Sequence, residues 1–325
     1  MSDPHQSDAT ALTLDAIHAA HRRIRDKINR TPVLTSETLD AAASARLFFK
    51  CENLQKVGAF KARGATNAVF ALSDAEAARG VATHSSGNHA AALARAARLR
   101  RIPAYIVMPS NSPRAKVASV RRYGGEVITC EPTLAARETT AAAVIARTGA
   151  AMIHPYDDLQ VMAGQGTTSI ELLEDVPDLD VLLCPVGGGG LLSGAAVAAK
   201  ALRRGVQVIA VEPAGADDAH RSYEAGRLIA PTHIDTVADG LRTGLSERTF
   251  AHIQRHVDRI ATVPDAAIVS AMRTLWEVMK LVVEPSGAVA YAAIASGAVN
   301  MKAKRIGIIL TGGNLDLDRL PWQST

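Results

Sequence analysis

Val181-Leu182-Leu183-Cys184-Pro185-Val186-Gly187-Gly188-Gly189-Gly190-Leu191-Leu192-Ser193-Gly194-Ala195-Ala196 runs from an apolar stretch, through a turn without side chains, into a small-residue helix start. That order describes a buried strand of a parallel sheet feeding a helix, because a strand covered on both faces is apolar at every position. One or two glycines suffice for a tight strand-to-helix connection. Four in succession, Gly187, Gly188, Gly189 and Gly190, remove Cβ atoms from a whole turn, so that backbone N–H groups can approach a ligand. The helix start adds unpaired donors and a partial positive charge, and the segment therefore suits a phosphate.

Outward from this stretch, strand-like and helix-like segments alternate. Strands are predicted over 81–84, 104–108, 127–130 and 151–154, separated by helices over 88–99, 113–123 and 135–148. A helix over 166–173 leads to a second series: strand 181–186, helix 191–202, strand 206–211, strand 259–263, helix 266–281 and strand 307–310. A helix over 15–28 and a strand over 47–51 come first, after a polar tail that ends near Thr10. The alternation predicts an α/β protein with two three-layer open parallel-sheet domains. The large domain takes residues 1–78 and 155–325, and a small mobile domain takes 79–154. Ligands of such sheets bind beyond the carboxyl ends of strands. Three polar loops stand at such ends: Ser85-Ser86-Gly87-Asn88-His89, the tetraglycine, and Thr311-Gly312-Gly313-Asn314.

Composition narrows the class. The 325 residues are 48% hydrophobic but only 4% aromatic, which gives an interior of alanine, valine and leucine. The formal charge of +4 is spread along helix-face pairs such as Arg22-Arg23, Arg100-Arg101 and Arg203-Arg204, with no interleaved aromatics to stack bases. Nucleic acid is not the expected partner. No apolar stretch is long enough to span a bilayer, and Met1-Ser2-Asp3-Pro4-His5 does not begin a leader sequence, so a soluble cytoplasmic protein is expected. Cys51, Cys130 and Cys184 are odd in number and far apart, as buried thiols would be rather than a disulfide framework or a metal knuckle.

Lys61 follows Phe60 and is surrounded by the small residues Gly58, Ala59 and Gly64, an unusual setting for a solvated helix start. Lys56 nearby is the ordinary surface lysine. A desolvated lysine amine forms a Schiff base with an aldehyde. In the Ser85–His89 loop, an N-cap accounts for one or two residues but not for the doubled serine with glycine; amides at a helix start suit a substrate carboxylate.

Phe60-Lys61, Ser85-Ser86-Gly87-Asn88-His89, Pro185-Val186-Gly187-Gly188-Gly189-Gly190-Leu191 and Thr311-Gly312-Gly313-Asn314 occur in one chain, in this order. The chain resembles the pyridoxal-phosphate enzymes of the tryptophan-synthase β type (fold type II), in the threonine/serine dehydratase and serine racemase branch, from about Thr13 to Leu317. The resemblance implies that the cofactor lies in the cleft between the domains, joined to Lys61 with Phe60 beside it. It further implies that Asn88 meets the cofactor's phenolic oxygen and that Gly187 to Leu191 hold its phosphate. Thr311 would face the pyridine nitrogen, where a neutral hydroxyl favours β-elimination over transamination. Ala59 departs from the serine common at that position, which affects substrate detail more than cofactor binding.

By the same resemblance, Lys61 is the base for the Cα proton and Ser86 serves the opposite face. Ser85, Ser86, Asn88, His89, Arg137 and Thr243 contact an amino-acid substrate, His89 ordering the loop rather than acting as a base. Glu284 lies near the cofactor ring. Glu212 and Asp218 read on spacing alone as solvated loop carboxylates; the resemblance makes Glu212, the Ala216 carbonyl and Asp218 a Mg²⁺ or Ca²⁺ site. The implied activity is a dehydratase (ammonia-lyase) that converts a β-hydroxy-α-amino acid to a 2-oxo acid and ammonia. Candidate substrates are serine, threonine, threo-3-hydroxyaspartate, which the run Val57-Gly58-Ala59-Phe60-Lys61 suggests, or phenylserine. Serine racemase is the alternative activity, and a non-catalytic phosphate binder is the alternative of another class. A homodimer is the family expectation.

Overall fold

In chain order, the first half of the computed structural model contains α1 (Leu14–Ile24), β1 (Val33–Leu34), α2 (Glu37–Ala43), β2 (Arg46–Cys51), α3 (Lys61–Ala71), α4 (Asp74–Ala78), β3 (Val81–His84), α5 (Asn88–Arg100), β4 (Ala104–Pro109), α6 (Arg114–Arg122), β5 (Glu126–Cys130), α7 (Leu134–Thr148) and β6 (Ala151–Met152). It continues with α8 (Leu159–Asp175), β7 (Val181–Pro185), α9 (Gly190–Leu202), β8 (Gln207–Pro213), α10 (Asp218–Ala225), α11 (Glu247–His256), β9 (Arg259–Val263), α12 (Asp265–Met279), α13 (Pro285–Ala295) and β10 (Arg305–Leu310). The structure describes residues 11–323 apart from Pro113; the predicted tail before Thr10 and the predicted helix start at Pro113 lie outside the described residues.

Two sheets carry the alternation. The six-stranded sheet has the order β1-β2-β10-β7-β8-β9 and the four-stranded sheet the order β5-β4-β3-β6. Every pairing is parallel except that of the edge strand β1 with β2. Side chains of a strand alternate between faces, and β7 shows what that builds. Val181 and Leu183 join a core with Leu275 of α12 and Val289 of α13, whereas Leu182 and Cys184 join another with Leu172 of α8 and Leu192 of α9. In the small sheet, Ile106 and Met108 of β4 pack with Leu93 of α5, and Val107 packs with Val144 of α7. Both sheets are therefore covered on two faces, and each fully buried leucine or isoleucine contributes roughly 1.5–3 kcal/mol.

Two helices differ from their expected extent. α8 begins well before residue 166, because Asp158 caps it by accepting from the N–H groups of Gln160 (2.7 Å) and Val161 (3.0 Å). A Cβ on Gly164 within it would lie 2.6 Å from the Gly64 Cα, so this glycine permits α3 and α8 to touch backbone to backbone. α12 stops at Met279, where Lys280 turns left-handed at φ 59°.

β6 is shorter than predicted, ending at Met152 rather than at 154. Pro155 has no N–H for a sheet ladder, and His154 Nδ1 accepts from the Asp157 N–H (2.9 Å) and turns the chain out of the sheet. The three cysteines are buried and free, and burial pushes the Cys51 thiol up to about 12. Among the described residues, no helix is long and apolar enough to cross a membrane.

Candidate active site

Lys61 opens α3 directly after Phe60, which caps the helix without a side-chain bond. The helix start is fixed from outside: the Phe60 N–H donates to the Thr311 carbonyl (3.0 Å) and Ala59 bridges Gly312. Lys61 is half-buried. Its Nζ donates to the Pro155 carbonyl at 2.7 Å and stands 5.1 Å from the Phe60 ring centroid. Burial pushes its pKa down to about 8, whereas Lys56 is exposed. The approach to the helix is strained: Val57, a β-branched residue, holds φ +57°. Asn314 Nδ2 pins that turn by donating to the Val57 carbonyl (2.7 Å).

The tetraglycine follows β7 and leads into α9. The first helical bond runs from the Ser193 N–H to the Gly189 carbonyl (2.8 Å). No acceptor among the described residues meets the N–H groups of residues 187–192, which leaves a cup of donors at a helix N-terminus. The glycines also have a second cause that the sequence did not suggest. A Cβ on Gly188 would lie 2.4 Å from Tyr156 Cδ1, and one on Gly187 would lie 2.9 Å from the Leu241 Cα. Packing against the protein, as well as approach to a ligand, excludes side chains here.

At the end of β3, Ser85 Oγ accepts from the Gly87 N–H (3.3 Å), so it closes the loop rather than capping α5. The half-buried Ser86 side chain has no hydrogen-bond partner among the described residues. Asn88 Nδ2 donates to Glu284 Oε1 (2.8 Å), and Asn314 Nδ2 donates to Asn88 Oδ1 (3.0 Å). Glu284 is buried at the start of α13, its N–H donates to the Gly312 carbonyl (3.0 Å), and burial pushes its carboxyl up to about 8. Thr311 is buried within the same group. His89 departs from the expectation of a substrate contact through its side chain. It is 2% exposed, with Nε2 3.1 Å from the Ile153 carbonyl, and burial beside Lys61 lowers its pKa to about 3. A neutral imidazole braces the loop from below.

The segment His154-Pro155-Tyr156 is the part of the site that sequence reasoning missed. Its carbonyl holds Lys61, its tyrosine ring lies on Gly188, and His154 packs edge-on to His84 (5.6 Å) and to Tyr156 (4.6 Å). Burial, then His84, lowers His154 to about 4. The available signal was positional, since the segment directly follows a strand end.

Arg137 sits near the start of α7, half-buried, and its side chain has no ion-pair or hydrogen-bond partner among the described residues. Its charge adds to burial in lowering His84. Thr243 is exposed on a loop that Arg242 ties down through Nε to the Thr236 carbonyl (2.9 Å). Glu212 and Asp218 are not the solvated loop carboxylates that spacing suggests: each is 1% exposed. Glu212 closes the start of α10 by accepting from the N–H groups of Ala219 (3.0 Å) and His220 (2.8 Å). Asp218 Oδ2 is buried without a partner, and Ala216 lies buried beside them in the sequence. Burial pushes Glu212 up to about 9 and Asp218 up to about 6. Among the described residues, no group of three or more His, Cys, Asp or Glu side chains forms a metal cluster.

The chain matches the family described as "Pyridoxal-phosphate dependent enzyme" over residues 24–312. It is 52% identical to the beta-hydroxyaspartate dehydratase of Paracoccus denitrificans over 310 residues, covering 95% of this chain and 98% of that protein. It is 49% identical to the serine racemase of Arabidopsis thaliana over 319 residues, covering 97% and 96%. Among solved structures, maize serine racemase superposes with a TM-score of 0.93 at 46% identity, covering 95% of each chain. A buried-strand, tetraglycine and helix unit, set in one fold with a desolvated lysine and matched over nearly the whole length, makes the chain a member of the pyridoxal-phosphate dependent enzymes.

Proposed function

We propose that this chain is a dehydratase (ammonia-lyase) of β-hydroxy-α-amino acids, with Lys61 as both cofactor lysine and general base. One observation carries this reading: a single segment, residues 154–156, holds the desolvated Lys61 amine and packs on the tetraglycine. The residues fit pyridoxal phosphate. The open N–H groups of Gly187, Gly188, Gly189, Gly190 and Leu191 would hold its phosphate, Asn88 its phenolic oxygen, Thr311 its ring nitrogen, and Phe60 would pack beside it. Bound there, the cofactor supplies an electron sink for the pair left when Cα loses its proton. Lys61 Nζ takes that proton and, as the ammonium, is placed to return it to the departing β-hydroxyl, so that water leaves. Ser85, Ser86, Asn88 and the start of α5 orient the substrate carboxylate, with Arg137 and Thr243 supporting from the two sides. The body built on residues 79–154 closes on the large one, 1–78 and 155–325, and excludes water.

The unpaired Arg137 and the 52% identity to a beta-hydroxyaspartate dehydratase favour an acidic β-hydroxy amino acid over phenylserine. A panel of β-hydroxy amino acids, scored for 2-oxo acid and ammonia, tests the proposal; no product from any of them would reject it. Serine racemisation is the second reading, favoured by the unpartnered Ser86 and by the 49% identity to a serine racemase. Inversion that persists unchanged in Ser86→Ala would remove Ser86 from it. Three buried free thiols fit a reducing, cytoplasmic setting.

Two further results are expected. A folded-state pKa near 8 leaves about half of the Lys61 amine neutral at that pH. Because the neutral amine attacks the aldehyde, cofactor incorporation into stripped protein should speed up with pH and level off above about 8; a profile still rising steeply past pH 10 would contradict it. Second, Glu212, the Ala216 carbonyl and Asp218 would hold Mg²⁺ or Ca²⁺, because the unpartnered Asp218 oxygen and two buried carboxylates call for a hard cation. Adding Mg²⁺ or Ca²⁺ to chelator-treated protein should raise Tm in the parent and not in Asp218→Asn. Equal shifts in both would discredit the site.

A further inference from the structure

Four charged side chains with no exposed surface to speak of meet behind Lys61: Lys50 at the end of β2, Glu52 just after it, Arg63 in the first turn of α3, and Glu171 on α8. The Arg63 guanidinium uses its whole fork. Nε and Nη2 donate to the two oxygens of Glu52 (both 2.8 Å), Nη1 and Nη2 donate to the two oxygens of Glu171 (2.8 and 2.7 Å), and Nη1 also donates to Thr167 Oγ1 (3.0 Å). Lys50 Nζ donates to Glu171 (2.6 Å) and to the Thr31 carbonyl (2.7 Å), while Thr31 Oγ1 donates to Glu52 (2.6 Å).

Two cations and two carboxylates cancel. Burial alone would weaken the Arg63 charge, but Glu52 and Glu171 outweigh it, and Glu171 is held ionised mainly by Arg63 against its own burial. Such a cluster is a poor source of net stability, because desolvation offsets most of the attraction. Its geometric content is high, since a doubly bidentate guanidinium fixes both position and plane.

Residues two apart on a helix lie roughly 200° around its axis, so Arg63 and Lys61 leave α3 on nearly opposite sides. The first turn that carries both has no side-chain cap at Phe60. We propose that Arg63 is a positioning residue: clamped between Glu52 and Glu171, it fixes the orientation of the first turn of α3 and thereby aims Lys61 into the cleft.

This inference rests on Lys61 being the cofactor lysine, and the test separates the two. Borohydride reduction of the loaded parent protein should leave a cofactor adduct on Lys61; an adduct elsewhere, or none, would reject the functional proposal itself. Visible-region circular dichroism per bound cofactor, which reports a fixed cofactor orientation, then tests the anchor in the loaded, full-length chain. Arg63→Lys keeps the charge but not the fork. It should lose most of that dichroism, with kcat down roughly 10–100-fold and KM little changed. The Thr31→Val/Thr167→Val pair removes the hydroxyl bonds to the cluster, together with the Thr167 bond to the Gly164 carbonyl inside α8 (2.7 Å), and should show a smaller loss in the same direction with a modestly lowered Tm. Parental dichroism and kcat in folded Arg63→Lys, or in the threonine pair if Arg63→Lys does not fold, would overturn the proposal. A lowered Tm with unchanged dichroism would equally reduce Arg63 to a structural residue.

Discussion

Lys61→Ala is expected to fold, to yield no borohydride adduct, and to lose turnover by at least about 10³-fold. Removal of a general base alone costs typically 10²–10⁴-fold, and this substitution would also remove the proposed covalent hold on the cofactor. Folding should survive because the amine makes one hydrogen bond, to the Pro155 carbonyl, and burial already disfavours its charge. The check is kcat on the best substrate of the panel, mass analysis after reduction, and thermal unfolding of the same samples. Lys56→Ala, at an exposed lysine, should match the parent. Activity within about tenfold of the parent in Lys61→Ala would mean that another group takes the proton, since a positioned base is worth more than that.

Gly188→Val is expected to reduce cofactor affinity by roughly 10²-fold or more. A Cβ at this position overlaps Tyr156 Cδ1 at 2.4 Å, so the ring or the turn must move. Overpacking of this kind costs about 1–3 kcal/mol. Displacing the turn also weakens N–H bonds to a charged phosphate, each worth about 1.5–3 kcal/mol. At 1.4 kcal/mol per tenfold, losing two such bonds at the lower end of that range already reaches about 10²-fold. Spectrophotometric titration of stripped protein with pyridoxal phosphate measures the effect. A parental Kd in a folded Gly188→Val protein would put the phosphate somewhere other than this turn.

How far the sequence could be read varies with the kind of interaction. The strand at 181–186 and its turn were legible, because period and turn chemistry are local properties. The early start of α8 was not: the close contact of Gly164 with Gly64 exists only once α3 and α8 are packed together. The charged cluster was equally hidden. Lys50, Glu52, Arg63 and Glu171 each look like solvated positions until the fold brings them together. Glu212 and Asp218 followed the same pattern, since spacing cannot reveal that the start of α10, where Asp218 sits, closes onto Glu212. In the candidate site, Lys61, the tetraglycine and Asn88 were visible as residue types in strand-end loops. His154 and Tyr156 were not, because the predicted strand took in His154 and left Tyr156 in the connection after it.

The bond from Lys61 to Pro155 has one more implication. Pro155 lies in the connection between the last strand of the small sheet and α8 of the large body, so the acceptor belongs to the joint itself. A nitrogen committed to a covalent partner has fewer hydrogens to offer a carbonyl. If Lys61 holds the cofactor as proposed, loading it would take a donor from the joint and release would restore it. On the proposed function, the bonding state of that single nitrogen would then be felt directly in the connection between the two sheets.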